Sequence, residues 1–241
     1  MNFLISAQEV ISSIKSEASP EYALKLSGYF KTGPGEYGEG DLFWGLKNPQ
    51  ARLLAKSAVT LTLEEIEKLL AHNVHEVRLV GVLILVLQYQ KAKSEEERTQ
   101  IFKFYTSQFQ RINNWDLVDL STSPIVGNYC YNHHVALLYQ WVKSDHLWTR
   151  RIAVVACLYL IKKDRFKEIL DFCIILRNDP EPLMHKACGW MLRELGKRNK
   201  SLLIQFLNEW GTQLPRITIR YAIERFEDKQ RKELLQRTKL V

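Results

Sequence analysis

The chain has 241 residues, 46% hydrophobic and 25% charged, which is the ordinary composition of a globular protein with a sizeable core. Lys and Arg number 34 against 27 Asp and Glu, a formal net charge of +7 that a polyanionic partner and plain solubility explain equally well. The longest apolar runs, Leu79 to Leu87 and Ile152 to Ile161, are too short to cross a bilayer, so membrane-spanning, collagenous and disordered classes are excluded.

The opening Met1-Asn2-Phe3-Leu4 carries no basic leader and soon reaches Glu9, so no secretory signal is expected. The four cysteines, Cys130, Cys157, Cys173 and Cys188, form no CxxC pair and read as reduced, mostly buried thiols. A cytoplasmic protein without a metal site or cofactor is expected. His133-His134 and His72-x-x-His75 lack metal-ligand spacing and read as surface histidines.

In chain order, the first distinctive segment is Lys31-Thr-Gly-Pro-Gly-Glu-Tyr-Gly-Glu-Gly-Asp41, which holds four of the 11 glycines. No Gly-Lys-Ser/Thr follows and no strand precedes it, so it reads as an ordered loop rather than a phosphate cradle. Helical spacing then takes over. Leu63, Ile66, Leu69 and Leu70 lie at i, i+3, i+6 and i+7. Similar stripes predict helices around 76–90, 95–109, 148–162, 166–176, 183–196, 201–210 and 216–226. Thr60 or Thr62, Ser94 and Asp164 are candidate N-caps. The fold class is all-α.

A repeat lies beneath the helices. Arg78, Arg151, Lys186 and Arg220 each precede small or apolar residues, with gaps of 73, 35 and 34. Adding Trp115 gives gaps of 37, 36, 35 and 34, the drifting period of stacked helix pairs, although amphipathic helices of similar length can mimic it. Such pairs build a curved α-solenoid. In this register Trp115, Asp119, Arg151, Lys186 and Trp190 share one face, the concave one on which solenoids bind.

Several blocks now resemble a known family. They are Tyr29-Phe-Lys-Thr-Gly-Pro-Gly-Glu-Tyr-Gly-Glu-Gly-Asp41, Phe43-Trp-Gly-Leu-Lys-Asn-Pro49, Asn113-Asn-Trp-Asp-Leu-Val-Asp119, Trp148-Thr-Arg-Arg151 and Lys186-Ala-Cys-Gly-Trp-Met-Leu-Arg-Glu194. In this order the chain resembles the AlkD-type DNA alkylation repair glycosylases. The resemblance implies a single domain over 1–241, a right-handed α-solenoid of HEAT-like repeats with a concave basic groove. It also implies a monomer that hydrolyses the N-glycosidic bond of cationic purines such as 3-methyladenine and 7-methylguanine in double-stranded DNA. A non-catalytic DNA-binding protein of the same family and a scaffold for protein partners are the alternatives.

The resemblance makes Asp119 the essential carboxylate, Trp115 and Trp190 the cleft indoles and Arg151 the active-site cation. The lesion is already charged, so no acid need protonate it. An anion stabilises the sugar cation and aims a water. Tyr29, Lys47 and Arg193 match backbone-approaching positions of relatives, and charge and register add Arg150, Lys186, Lys197, Arg216 and Arg220 as DNA-binding candidates. The family does not flip its base, which implies a shallow groove without a deep cavity. Asn114 stands where some relatives carry a second Trp. Asp116 lies one residue off the shared face and reads as a helix cap.

Overall fold

The structure, a computed structural model, describes residues 3–239; Met1 and Asn2, on which the leader reading partly rests, lie outside the described residues. Among the described residues every regular element is helical, and the one β-type pairing is an isolated bridge between Leu42 and Val74. The chain forms two compact units, residues 1–125 and 126–241.

The first unit holds α1 (Ala7–Ser16), α2 (Pro20–Tyr29), α3 (Asn48–Ser57), α4 (Leu63–Leu70), α5 (His75–Lys91), α6 (Glu95–Ser107) and α7 (Trp115–Thr122). Helix α5 is its axis. It is apolar on all sides from Leu79 to Val86 and packs against α1, α3, α4, α6 and α7. Each fully buried Leu, Ile or Val there stabilises the unit by about 1.5–3 kcal/mol. The starts follow side-chain capping. The hydroxyls of Ser6, Thr62 and Ser94 accept from the N–H of Glu9, Glu65 and Glu97. Buried Tyr105 ties α6 to α7 through the hydroxyls of Ser121, at 2.7 Å, and Thr122, at 3.1 Å.

The loop over 31–41 and its continuation lead from α2 to α3. Gly45 is indispensable in it: its φ is +88°, and a Cβ would lie 2.1 Å from the Ser19 carbonyl oxygen.

A π-helical turn, Ser123–Gly127, follows α7. The second unit then runs through α8 (Asn128–Asn132), α9 (Ala136–Trp141), α10 (Leu147–Lys162), α11 (Lys167–Ile175), α12 (Pro182–Arg198), α13 (Lys200–Trp210), α14 (Arg216–Ala222) and α15 (Asp228–Arg237). Helices α10 and α12 form its centre, and α14 packs tightly on α12 at Gly189, where a Cβ would lie 2.5 Å from that of Tyr221.

Two local expectations change. Asp164 caps no helix. It sits at φ +56° beyond α10, and its carboxylate pairs with Arg198 at 2.7 Å, while α11 starts after Phe166. The equivalence of Arg78 with Arg151 also changes. Arg78 donates to the carbonyls of His72 and Asn73 and pairs with Asp41, and Arg150 does the same with Ser144, Asp145 and Asp179. Arg150, three residues into α10, is therefore the counterpart of Arg78, three residues into α5, and Arg151 is not. An arginine placed there reaches back over the turn that starts its helix and closes a corner.

Candidate functional site

Helix α7 begins where extended Asn114 (φ −147°) caps it through an Oδ1 that accepts from the Trp115 N–H at 2.8 Å. The helical pitch then puts Trp115 and Asp119 one turn apart on one face, with Asp116 three residues before Asp119. These three side chains line a hollow of about 540 Å³ in the first unit, together with Tyr29, Phe30 and His75. Trp115 and Asp119 are half-buried, so each keeps part of its surface in contact with solvent.

The wall is aromatic. The Phe30 ring stacks on Trp115 with centroids 5.0 Å apart and planes at 11°, and Tyr29, 66% exposed, meets Trp115 edge-on at 5.7 Å. His75 lies 4.8 Å from Phe30, and Phe43 packs against both, 4.8 Å from the imidazole and 5.1 Å from the Phe30 ring.

The floor is ionic. His75 is 1% exposed, so the surface-histidine reading is overturned. Its Nδ1 lies 3.1 Å from Asp41 and its Nε2 2.9 Å from Asp116. Asp41 also receives Arg78 and, at 2.7 Å, the Asn114 amide. Burial alone would lower the His75 pKa, but the charge and hydrogen bond of Asp116, joined by those of Asp41, push it up to about 9. Burial would raise the Asp41 carboxyl, yet the His75 hydrogen bond, the Arg78 charge and the Asn114 amide hold it below the ordinary carboxylate value. The cap assigned to Asp116 belongs to Asn114; one oxygen of Asp116 accepts from the adjacent Leu117 N–H and the other meets His75. The next residue, Glu76, faces the preceding loop, where its carboxylate accepts the N–H groups of Trp44, Gly45 and Leu46 at 3.2, 2.7 and 3.2 Å.

The remaining candidates divide by what they already bind. In the first unit Lys47 is exposed at the start of α3. In the second, Arg151 is 5% exposed and gives one N–H to the Leu183 carbonyl at 2.9 Å. Trp190 is half-buried on α12, four residues after half-buried Lys186. Arg150 is held by Asp179 at 2.7 and 3.2 Å, Arg193 pairs with Glu224, and Arg216 binds Thr238 at 3.0 Å and the Leu235 carbonyl at 2.7 Å. Lys197 pairs with Glu194 at 2.6 Å but stays exposed, as does Arg220. The inner layer of Asp41, His75 and Phe30 escaped sequence reasoning. Its one local signal is a histidine directly against an apolar helical run.

Fold and site together define an all-helical protein that presents a carboxylate among aromatic rings. The family model for DNA alkylation repair enzymes matches residues 10–226, and the chain belongs to that family. Among solved structures it is similar to one described as a predicted DNA alkylation repair enzyme from Enterococcus faecalis. That match has 23% identity and a TM-score of 0.68, and it covers 88% of this chain and 98% of that one. It is also similar to AlkD2 from Streptococcus mutans, with 20% identity and a TM-score of 0.53 over 92% of this chain and 100% of that one. At these identities the likeness is one of fold. No curated protein matches the chain. Among the described residues no helix is long and apolar enough to cross a membrane.

Proposed function

We propose that this chain is a monofunctional DNA glycosylase that hydrolyses the N-glycosidic bond of cationic alkylated purines in duplex DNA, acting as a monomer. A single solenoid domain of HEAT-like repeats with a basic groove is part of the same proposal. The observation that carries it is the pairing of Trp115 and Asp119, one helical turn apart on α7 and both lining one hollow. Family membership supplies DNA as the partner.

The chemistry follows from the charge of the lesion. When the C1′–N bond breaks, its electron pair returns to the purine and cancels the positive charge there. The deoxyribose is left as an oxocarbenium ion. The Asp119 carboxylate opposes that charge and accepts a hydrogen bond from the water that adds to C1′. The proton shed by that water passes to Asp119 and then to solvent. The indole of Trp115 offers a π-face to the cationic nucleotide, worth about 0.5–2 kcal/mol. Trp190 would do the same for its sugar, and Arg151 would hold a phosphate. Lys47, Lys186, Lys197 and Arg220 are the proposed backbone contacts, with exposed Tyr29 beside them.

Release of 7-methylguanine from methylated duplex DNA tests the proposal. The wild type releases it, and Asp119→Asn loses about 10²–10³-fold in rate while keeping its DNA affinity. Equal release by both proteins would remove Asp119 from the mechanism. Salt-sensitive duplex binding without release would leave a DNA-binding protein.

A further inference from the structure

Trp115 is held from both sides along the chain. The residue before it, Asn114, donates to Asp41, and the residue after it, Asp116, binds the His75 ring. Asp41 and His75 are themselves hydrogen-bonded, so one buried pair grips both flanks of the indole-bearing turn. Ring contacts add a third hold, because Phe30 both touches the His75 ring and stacks on Trp115.

The row dictates a protonation state by geometry. Both ring nitrogens of His75 face carboxylate oxygens, which accept and do not donate when ionised. A neutral imidazole has one N–H, so one end would set a lone pair against a carboxylate. Only the imidazolium satisfies both ends. The groups facing it are Asp41 from the loop before α3 and Asp116 from α7, with Arg78 of α5 beyond Asp41; Glu76 faces the amides of Trp44, Gly45 and Leu46 instead.

We infer that His75, held as an imidazolium between Asp41 and Asp116, is a positioning residue that fixes the first turn of α7, and with it the indole of Trp115 and the carboxylate of Asp119. The inference rests on the glycosylase reading for its effect on rate, but not for its effect on α7.

Two measurements on the full-length chain test it. In the first, labelled protein is titrated by NMR. His75 is expected to carry protons on both nitrogens well above pH 7, and the Trp115 indole resonance is expected to shift with the same midpoint. Asp116→Asn should move both midpoints down together. A His75 that titrates near its ordinary value, or a Trp115 resonance indifferent to that titration, would overturn the inference.

The second measurement compares single-turnover release of 7-methylguanine with duplex affinity in wild type and His75→Gln. The expected result is a rate lower by about 10-fold or more with affinity changed less than about threefold, since slight misplacement of a reacting group is costly. The wild-type advantage should fade as pH rises past the His75 midpoint; taking the ratio of the two proteins cancels titration of the substrate. Equal rates at neutral pH would overturn the inference. Should His75→Gln not fold, His75→Gly with added imidazole replaces it, and recovery of rate is expected there. If the wild type releases no base at all, the glycosylase reading fails while the NMR titration still decides the anchoring.

Discussion

Replacing His75 by Gln should cost stability in a way that depends on pH, with a sign set by the structure. The folded pKa of His75 is raised from 6.5 to about 9. The folded state therefore holds the proton more tightly than the unfolded one, and the stabilisation is complete below the unfolded pKa and disappears as pH rises through the folded one. The shift corresponds to about 3 kcal/mol at pH 6, falling to about 2 kcal/mol at pH 7.5 and to a few tenths above pH 9. His75 is 1% exposed, so solvent screening does not reduce the figure appreciably. Asp41 titrates far below this window, because its pKa is lowered, and contributes a constant. Urea unfolding of wild type and His75→Gln at pH 6, 7.5 and 9.5 measures the difference directly. The gap should shrink by about 3 kcal/mol across the series, equivalent to about 6–12 °C in Tm for a chain of this size. A gap that stays constant with pH would show that folding leaves the His75 pKa unshifted and would refute the reasoning.

Other substitutions probe separate parts of the design. Glu76→Gln weakens three hydrogen bonds to the loop at 44–46 and should destabilise the protein by about 2–3 kcal/mol, read from the urea midpoint. Gly189→Ala forces a Cβ to within 2.6 Å of the Thr218 carbonyl oxygen and should cost about 1–3 kcal/mol by the same assay, because backbone cannot step aside cheaply. Arg150→Ala should lower stability by about 2–4 kcal/mol and leave the salt dependence of DNA binding unchanged, since its guanidinium already belongs to Asp179. By contrast, Lys186→Ala combined with Arg220→Ala should leave the melting temperature nearly unchanged and reduce the slope of log affinity against log salt by about 2.

Much of this protein could be read along the chain. Apolar spacing located α4, α5, α6 and α10 to α13 to within a residue or two, and Thr62 and Ser94 cap their helices as their positions suggested. Helix α2 was harder to find because it buries no residue and so leaves little apolar stripe, while α8 and α9 are too short to show a period. The relation between Trp115 and Asp119 is likewise local, because four residues make one helical turn wherever the helix lies.

Burial and pairing are different in kind. His75 meets Asp41 and Asp116 across separations of 34 and 41 residues, partners that no local window on the sequence reveals. Arg150 and Arg151 are adjacent and alike in type, yet one is captured by Asp179, 29 residues away, and the other by the Leu183 carbonyl. Periodicity reports which way a side chain leaves its own helix. Only the packing of other elements against that face decides whether it meets water, an aromatic ring or an opposite charge, and here that packing converts a histidine without metal spacing into the buried cation beneath α7.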